Sequence, residues 1–191
     1  MALEIMFICL SSYRTAMWLR DSANQILSYL PLLKPSSKPK TLAALFRGVI
    51  NLHGRYIKIT PYCHAFQPPP ESGVPLQTNG AYYRNRLKVP YDQSKTFDCK
   101  WELDSLASFL QLSWDYHNAT GDIGPFKKFE WVETVEVILK AADDMRTATY
   151  TPDGESIDDK ALYNTHLDRA YRRKWLHHDW RDQSCYRNDL K

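Results

Sequence analysis

Two short segments gather residue types able to hold a polyhydroxylated ligand. One is Ala16-Met-Trp-Leu-Arg-Asp-Ser22 and the other is Lys100-Trp-Glu-Leu-Asp-Ser-Leu106. Trp18 and Trp101 can cover the apolar C–H face of a sugar ring. Arg20, Asp21, Glu102 and Asp104 can make strong, directional bonds to its hydroxyls. Paired carboxylates are also the working groups of glycoside hydrolysis, one as acid and the other as base or nucleophile. The same residues have a plainer reading. Each segment stands at a predicted helix start, where Asp21 or Ser22, and Asp104 or Ser105, can cap unpaired backbone N–H groups. Glu102 and Asp104 are two positions apart. A regular helix would put them on different faces, whereas an extended lead-in would let them share one.

The elements that must carry these residues are helices. Residues 22–30 predict a short helix, ended by Pro31 and the Lys34-Pro-Ser-Ser-Lys-Pro39 loop. Residues 41–59 predict a strongly amphipathic one, with Leu42, Leu45, Phe46, Val49, Ile50, His53, Tyr56 and Ile57 at helical spacing. Residues 61–98 read as a long irregular connection, because Gln67-Pro-Pro-Pro-Glu-Ser-Gly73 can neither continue a helix nor enter a central strand. Its many rings, Tyr62, Phe66, Tyr82, Tyr83, Tyr91 and Phe97, favour a functional loop over a disordered one. A third helix is predicted over 103–117, with Leu103, Leu106, Leu110 and Trp114 as its apolar stripe and Gly121 as its stop. A fourth starts near Pro125, runs to the turn at Pro152-Asp-Gly154, and buries Phe129, Val132, Val135, Ile138, Leu139, Ala142 and Met145. No run of alternating β-branched residues competes, so the expected class is all-α, with antiparallel helix pairs and long end loops.

Composition bounds the rest. The chain has 191 residues, 43% hydrophobic and 13% aromatic, too rich in apolar groups for a disordered chain. No apolar stretch is long enough to span a membrane as a helix. Residues 1–159 carry 17 basic and 18 acidic groups, whereas 160–191 carry 8 and 4, so the net charge of +3 comes from the tail. That tail, with Tyr171, Trp175, Trp180 and Tyr186, reads as solvated charge and not as a nucleic-acid surface, since it holds no binding motif. Cys9, Cys63, Cys99 and Cys185 fit neither a zinc pattern nor a disulfide framework and read as buried or incidental thiols. His177, His178 and Cys185 lack the partners that would complete a metal site, so no metal or other cofactor is expected. Glu4 interrupts the apolar amino terminus and no Lys or Arg precedes it, which leaves no convincing signal peptide. Asn118-Ala-Thr120 is an N-glycosylation sequon, meaningful only in the secretory pathway.

Three segments then occur in a recognisable order: Thr15-Ala-Met-Trp-Leu-Arg-Asp-Ser-Ala-Asn-Gln25, Arg55-Tyr-Ile-Lys-Ile-Thr-Pro-Tyr-Cys-His-Ala-Phe66 and Lys100-Trp-Glu-Leu-Asp-Ser-Leu106. Together they resemble glycoside hydrolase family 125, the metal-independent exo-α-1,6-mannosidases. The Gln67–Gly73 loop and the Ala119-Thr-Gly-Asp122 stop look like its fungal branch, known from a meiotically up-regulated protein. The resemblance covers residues 15–152. It implies an (α/α)6 barrel of the six-hairpin glycosidase type, and hydrolysis of terminal α-1,6-linked mannose with inversion. Such a site uses an acid, a base and a water. It also implies a mannose-containing glycan as partner and a secretory or extracellular setting for the parent family. Trp18, Arg20, Asp21, Trp101, Glu102 and Asp104 match motifs at the sugar-binding end.

The departures set the remaining expectations. Such a barrel has twelve helices, of which four are readable here before residue 150, with a weaker one in the tail. The family's Arg-Pro-Ser-Asp-Asp-like stretch has no counterpart in 153–191, Ser11-Ser-Tyr-Arg14 replaces a Gly-Asp-Ile lead-in, and His64 stands where Asn is expected. The chain therefore reads as a partial, incomplete barrel over 15–152 between a divergent segment, 1–14, and a basic divergent tail, 153–191. On this reading the acid and base are missing and the catalytic residues unknown. The rival is a catalytically dead helical module that still binds mannosides. A partial barrel should also expose apolar helix faces and tend to associate.

Overall fold

The structure is a computed structural model, and it describes residues 16–79, 91–146, 148 and 150–156. The tail's weak helix, Cys9, Tyr82, Tyr83 and the His177, His178 and Cys185 group lie outside those residues.

The described chain is mainly helical, as its periodicity predicts. A short strand β1 (Met17–Trp18) leads directly into helix α1 (Leu19–Leu27). After a 3-10 turn at Leu30–Leu32 comes the long helix α2 (Leu42–Ile59). Strands β2 (Ala65–Phe66) and β3 (Thr96–Asp98) follow, then helices α3 (Leu103–Thr120), α4 (Gly124–Lys128) and α5 (Trp131–Asp144). Helix α3 packs on both α1 and α2, while α5 lies on α2 and α3. Phe46, Val49 and Ile50 of α2 meet Leu106, Phe109 and Leu112 of α3 in one continuous core.

Local chemistry explains α2 and α3 well. The Thr41 hydroxyl accepts the Ala44 N–H at 3.2 Å and caps α2. Gly121, at φ 67°, ends α3 in the left-handed conformation that glycine adopts without strain. Gly54 permits a close approach of α2 to α5, since a Cβ there would lie 3.3 Å from Thr134 Oγ1.

Four expectations need correction. Helix α1 begins at Leu19, three residues before the expected 22, and neither Asp21 nor Ser22 caps it. Its first N–H instead bonds the carbonyl of His64 at 3.1 Å, a partner 45 residues away. The buried face of α3 is Ser105, Leu106, Phe109, Leu112, Ser113 and Tyr116, so of the expected stripe Leu106 is buried while Leu103 and Trp114 are exposed. Packing on two sides, against α1 and α2, selects that face over the more obvious Leu103–Trp114 line. The expected fourth helix is two helices, broken where Glu130 takes φ 50°. The break turns Trp131 toward α3, where its indole N–H donates to Ser113 Oγ at 3.0 Å. On α5, Thr134, Ile138 and Ala141 are buried, whereas Val132 and Leu139 are exposed.

The fourth correction is the sheet and its staple. β1, β2 and β3 form an antiparallel sheet in that order, with Met17 opposite Phe66, Trp18 opposite Ala65 and Ala65 opposite Asp98. Strands of two or three residues leave no period-2 signature in a sequence. Cys63 and Cys99, read as thiols, are joined in a disulfide flanking β2 and β3. Amide side chains tie the described residues between the strands: Gln67 Nε2 donates to the Gln77 and Gln93 carbonyls, and Asn79 to that of Phe97.

Candidate functional site

The sheet places the starts of α1 and α3 side by side. Arg20, on the first turn of α1, donates to the Asp104 carboxylate on the first turn of α3. The same guanidinium lies 3.7 Å from Glu102 Oε2 and 4.0 Å from Asp21 Oδ2. Glu102 reaches it because its backbone is extended, at φ −133° and ψ 102°, just before α3 begins. Glu102 and Asp104 thus share a side through an extended lead-in. Ordinary capping does not account for this cluster, since neither Trp18 nor Glu102, the residues at the two N-cap positions, makes a side-chain capping bond. Ser105 Oγ donates to Glu102 Oε2 at 3.2 Å and steadies it.

All four charged groups keep contact with solvent, Arg20 with 43% of its side chain and Asp104 with 54%. The Asp104 hydrogen bond raises the Arg20 pKa above its already high ordinary value, so the guanidinium stays charged. The cluster offers carboxylate acceptors around one cation, a combination suited to several hydroxyls at once.

The two tryptophans are held rather than free. Trp18 packs edge-on against Phe97, with ring centroids 5.5 Å apart, and against His64 at 6.4 Å. Trp101 stacks on Tyr62, centroids 4.7 Å apart and planes 14° from parallel. Tyr62 is fixed in turn by donating its hydroxyl to Asp144 at 2.7 Å, which pushes the phenol pKa up to about 12.

His64 is the residue that sequence reasoning under-weighted. Its only mark in the sequence is that it stands where Asn is expected. Its carbonyl starts α1, and its buried ring accepts the Lys100 N–H at Nδ1, 2.9 Å away. The proton is therefore on Nε2, which lies 3.8 Å from Asp98 Oδ2. Burial depresses the His64 pKa, against the opposing pull of Glu102 and Asp98. The Cys63–Cys99 disulfide stands one residue before both His64 and Lys100, so it clamps the segments that His64 bridges. Beneath the site, Ser22 Oγ lies 2.7 Å from Nε2 of the fully buried His53, joining α1 to α2.

Among the described residues, no group of three His, Cys, Asp or Glu side chains is arranged to hold a metal ion, and no helix is long and apolar enough to cross a membrane. Where carboxylates do converge, Arg20 already supplies the positive charge.

Comparison with known proteins agrees with the motifs. Meiotically up-regulated gene 157 protein from Schizosaccharomyces pombe is 42% identical over 135 residues. That alignment covers 71% of this chain and 25% of the fission-yeast protein, so the chain spans about a quarter of that relative's length. Residues 13–178 match the family described as metal-independent alpha-mannosidase, GH125, a stretch that runs past the boundary expected at 152. The chain belongs to glycoside hydrolase family 125, the metal-independent α-mannosidases.

Proposed function

We propose that this chain supplies the mannose-holding part of an inverting exo-α-1,6-mannosidase acting on terminal mannose of glycans. The reading rests on one observation above all: a single guanidinium, Arg20, gathers Asp21, Glu102 and Asp104 between the starts of α1 and α3, with Trp18 and Trp101 fixed in the flanking segments. In this role Arg20 and the three carboxylates bond mannose hydroxyls, and the two indoles support the walls. Glu102 and Asp104 are held by a cation and serve as acceptors, so the general acid and the general base of an inverting reaction are assigned to residues outside this cluster. The chain alone is then inactive.

The test is incubation of the purified chain with α-1,6-mannobiose, with released mannose measured by chromatography and binding by calorimetry. No turnover is expected, and no binding heat either, since on this reading the pocket is completed by residues outside this cluster. Turnover that Asp104→Ala abolishes would overturn the assignment of acid and base elsewhere. Binding heat without turnover, lost in Arg20→Ala, would favour the second reading, a catalytically dead mannoside-binding module. That reading also draws on the carboxylates being committed to Arg20.

A further inference from the structure

The far end of α3 carries a feature that the sugar site does not use. Asn118 begins the sequon Asn118-Ala-Thr120 and is exposed on the last turn of the helix. The Cys63–Cys99 disulfide is a second, independent observation, because such bonds form and persist in oxidising compartments, where N-glycosylation also takes place. A third is Trp114, one turn earlier, 63% exposed at the rim of an apolar groove of about 490 Å³ lined by Leu110, Ser113, His117, Phe126 and Trp131. Residues four apart are surface neighbours on a helix, and helical side chains lean toward the amino-terminal turn. A group attached to Asn118 is thus directed over the Trp114 indole.

We propose that Asn118 is an N-glycosylation site and that its first N-acetylglucosamine covers Trp114. In the transfer, Asn118 Nδ2 forms a bond to the anomeric carbon of an oligosaccharide carried on a polyprenyl diphosphate. The bond from that carbon to the diphosphate oxygen breaks, the amide gives up one proton, and the lipid diphosphate leaves. In the folded chain the Thr120 hydroxyl donates to the Tyr116 carbonyl at 2.7 Å and accepts the Asp122 N–H at 3.2 Å. Transfer therefore belongs to the nascent chain, before α3 closes. The finished glycan has room: Asn118 lies 14 residues along α3 from Asp104, about 20 Å at a helical rise of 1.5 Å per residue. The C–H face of a pyranose against an indole is a favourable contact of an apolar face with a ring.

The experiment is translation of the full chain, behind a secretion leader and with a known acceptor sequon appended at its end, in the presence of endoplasmic-reticulum microsomes. Two glycans per chain are expected, both removed by peptide N-glycosidase, which leaves Asp at position 118 in the peptide mass spectrum. Asn118→Gln and Thr120→Ala should each drop the count to one, and Thr120→Ser should restore partial occupancy. A chain glycosylated on the appended sequon but unmodified at Asn118 overturns the site, whether or not the product folds. For the glycosylated protein, nuclear Overhauser contacts between the labelled first sugar and the Trp114 indole are expected. Their absence in a chain modified at Asn118 overturns the stacking.

Discussion

Arg20 and Arg47 organise opposite ends of α3, and the two do so in different ways. Arg47, with 19% of its side chain exposed, donates to the Ser36 carbonyl at 2.7 Å and to the Tyr116 hydroxyl at 3.0 Å, and pairs with Asp122 at 3.5 Å. Tyr116 also donates to Asp122 at 2.6 Å. This network ties the loop before α2 to the turn after α3, and a backbone carbonyl and a phenol are among its partners. Arg20 is more than twice as exposed, and its partners are carboxylates, of which Asp21 and Asp104 are about half exposed and Glu102 26% exposed. The Arg47 cluster joins a loop to a helix end through a mixed set of partners. The Arg20 cluster joins two helix starts through carboxylates alone. An arginine among acidic residues is therefore not informative by itself; its exposure and the kind of partner it holds distinguish the two clusters.

The largest expected effect concerns His53, buried behind the Arg20 end. Burial lowers its pKa to about 3, against an ordinary value of 6.5. The folded protein thus holds His53 neutral while the unfolded chain takes up a proton below about pH 6.5. Stability is retained above that pH and lost progressively as pH falls toward 3, by roughly 5 kcal/mol for a shift of this size. Chemical denaturation between pH 7 and 4 should show the decline, and the His53 imidazole should remain neutral by NMR at pH 5. A His53 that titrates near 6.5 in the folded state would break the distinction between a dry core beneath the site and the wet cluster above it.

Next comes the disulfide. Cys63 and Cys99 close a loop with a sequence separation of 36, and the chain-entropy relation gives about 4 kcal/mol for that length. Reduction, or the Cys63→Ser/Cys99→Ser pair, should lower the melting temperature and raise hydrogen exchange at Leu19 and Lys100, whose N–H groups bond His64. Amides near Tyr116 and Asp122 should change less. Equal loss of protection at both ends would mean that the clamp is not local to the site.

The two arginines supply the smaller effects. Arg47→Ala leaves Asp122, Tyr116 and the Ser36 carbonyl short of a charged donor and should cost about 2 kcal/mol of stability. Arg20→Ala removes exposed ion pairs and should change stability by less than about 1 kcal/mol. Thermal melts of the two variants side by side sharpen the comparison. A larger loss at Arg20 than at Arg47 would make the site cluster a structural one.

Much of the helical frame is legible in the sequence because helix signals are local. Thr41 caps α2 from three residues away, Gly121 stops α3, and the 3.6-residue period of Phe46, Val49, Ile50 and Ile57 marks a buried face. Where several faces of a helix are apolar, the period loses its power. On α3 it selects Leu103 and Trp114, yet Phe109, Leu112 and Tyr116 are the ones enclosed, because neighbours on two sides decide which face is covered. The break at Glu130 is equally hidden, since a non-glycine residue at positive φ carries no compositional mark.

The site divides along the same line. The sequence by itself determined the family and the two Trp-and-carboxylate segments, for these depend on residue types at short spacings. Only the tertiary structure decided that Arg20 meets Glu102 and Asp104 across 82 and 84 positions. It also decided that His64 joins the segments, that Cys63 finds Cys99, and that Arg47 is a different kind of arginine. The physical reason is the reach of the interactions. Caps and helical periods act within one or two turns, whereas an ion pair, a disulfide or a three-strand sheet depends on chain ends brought together by the packing of the core between them.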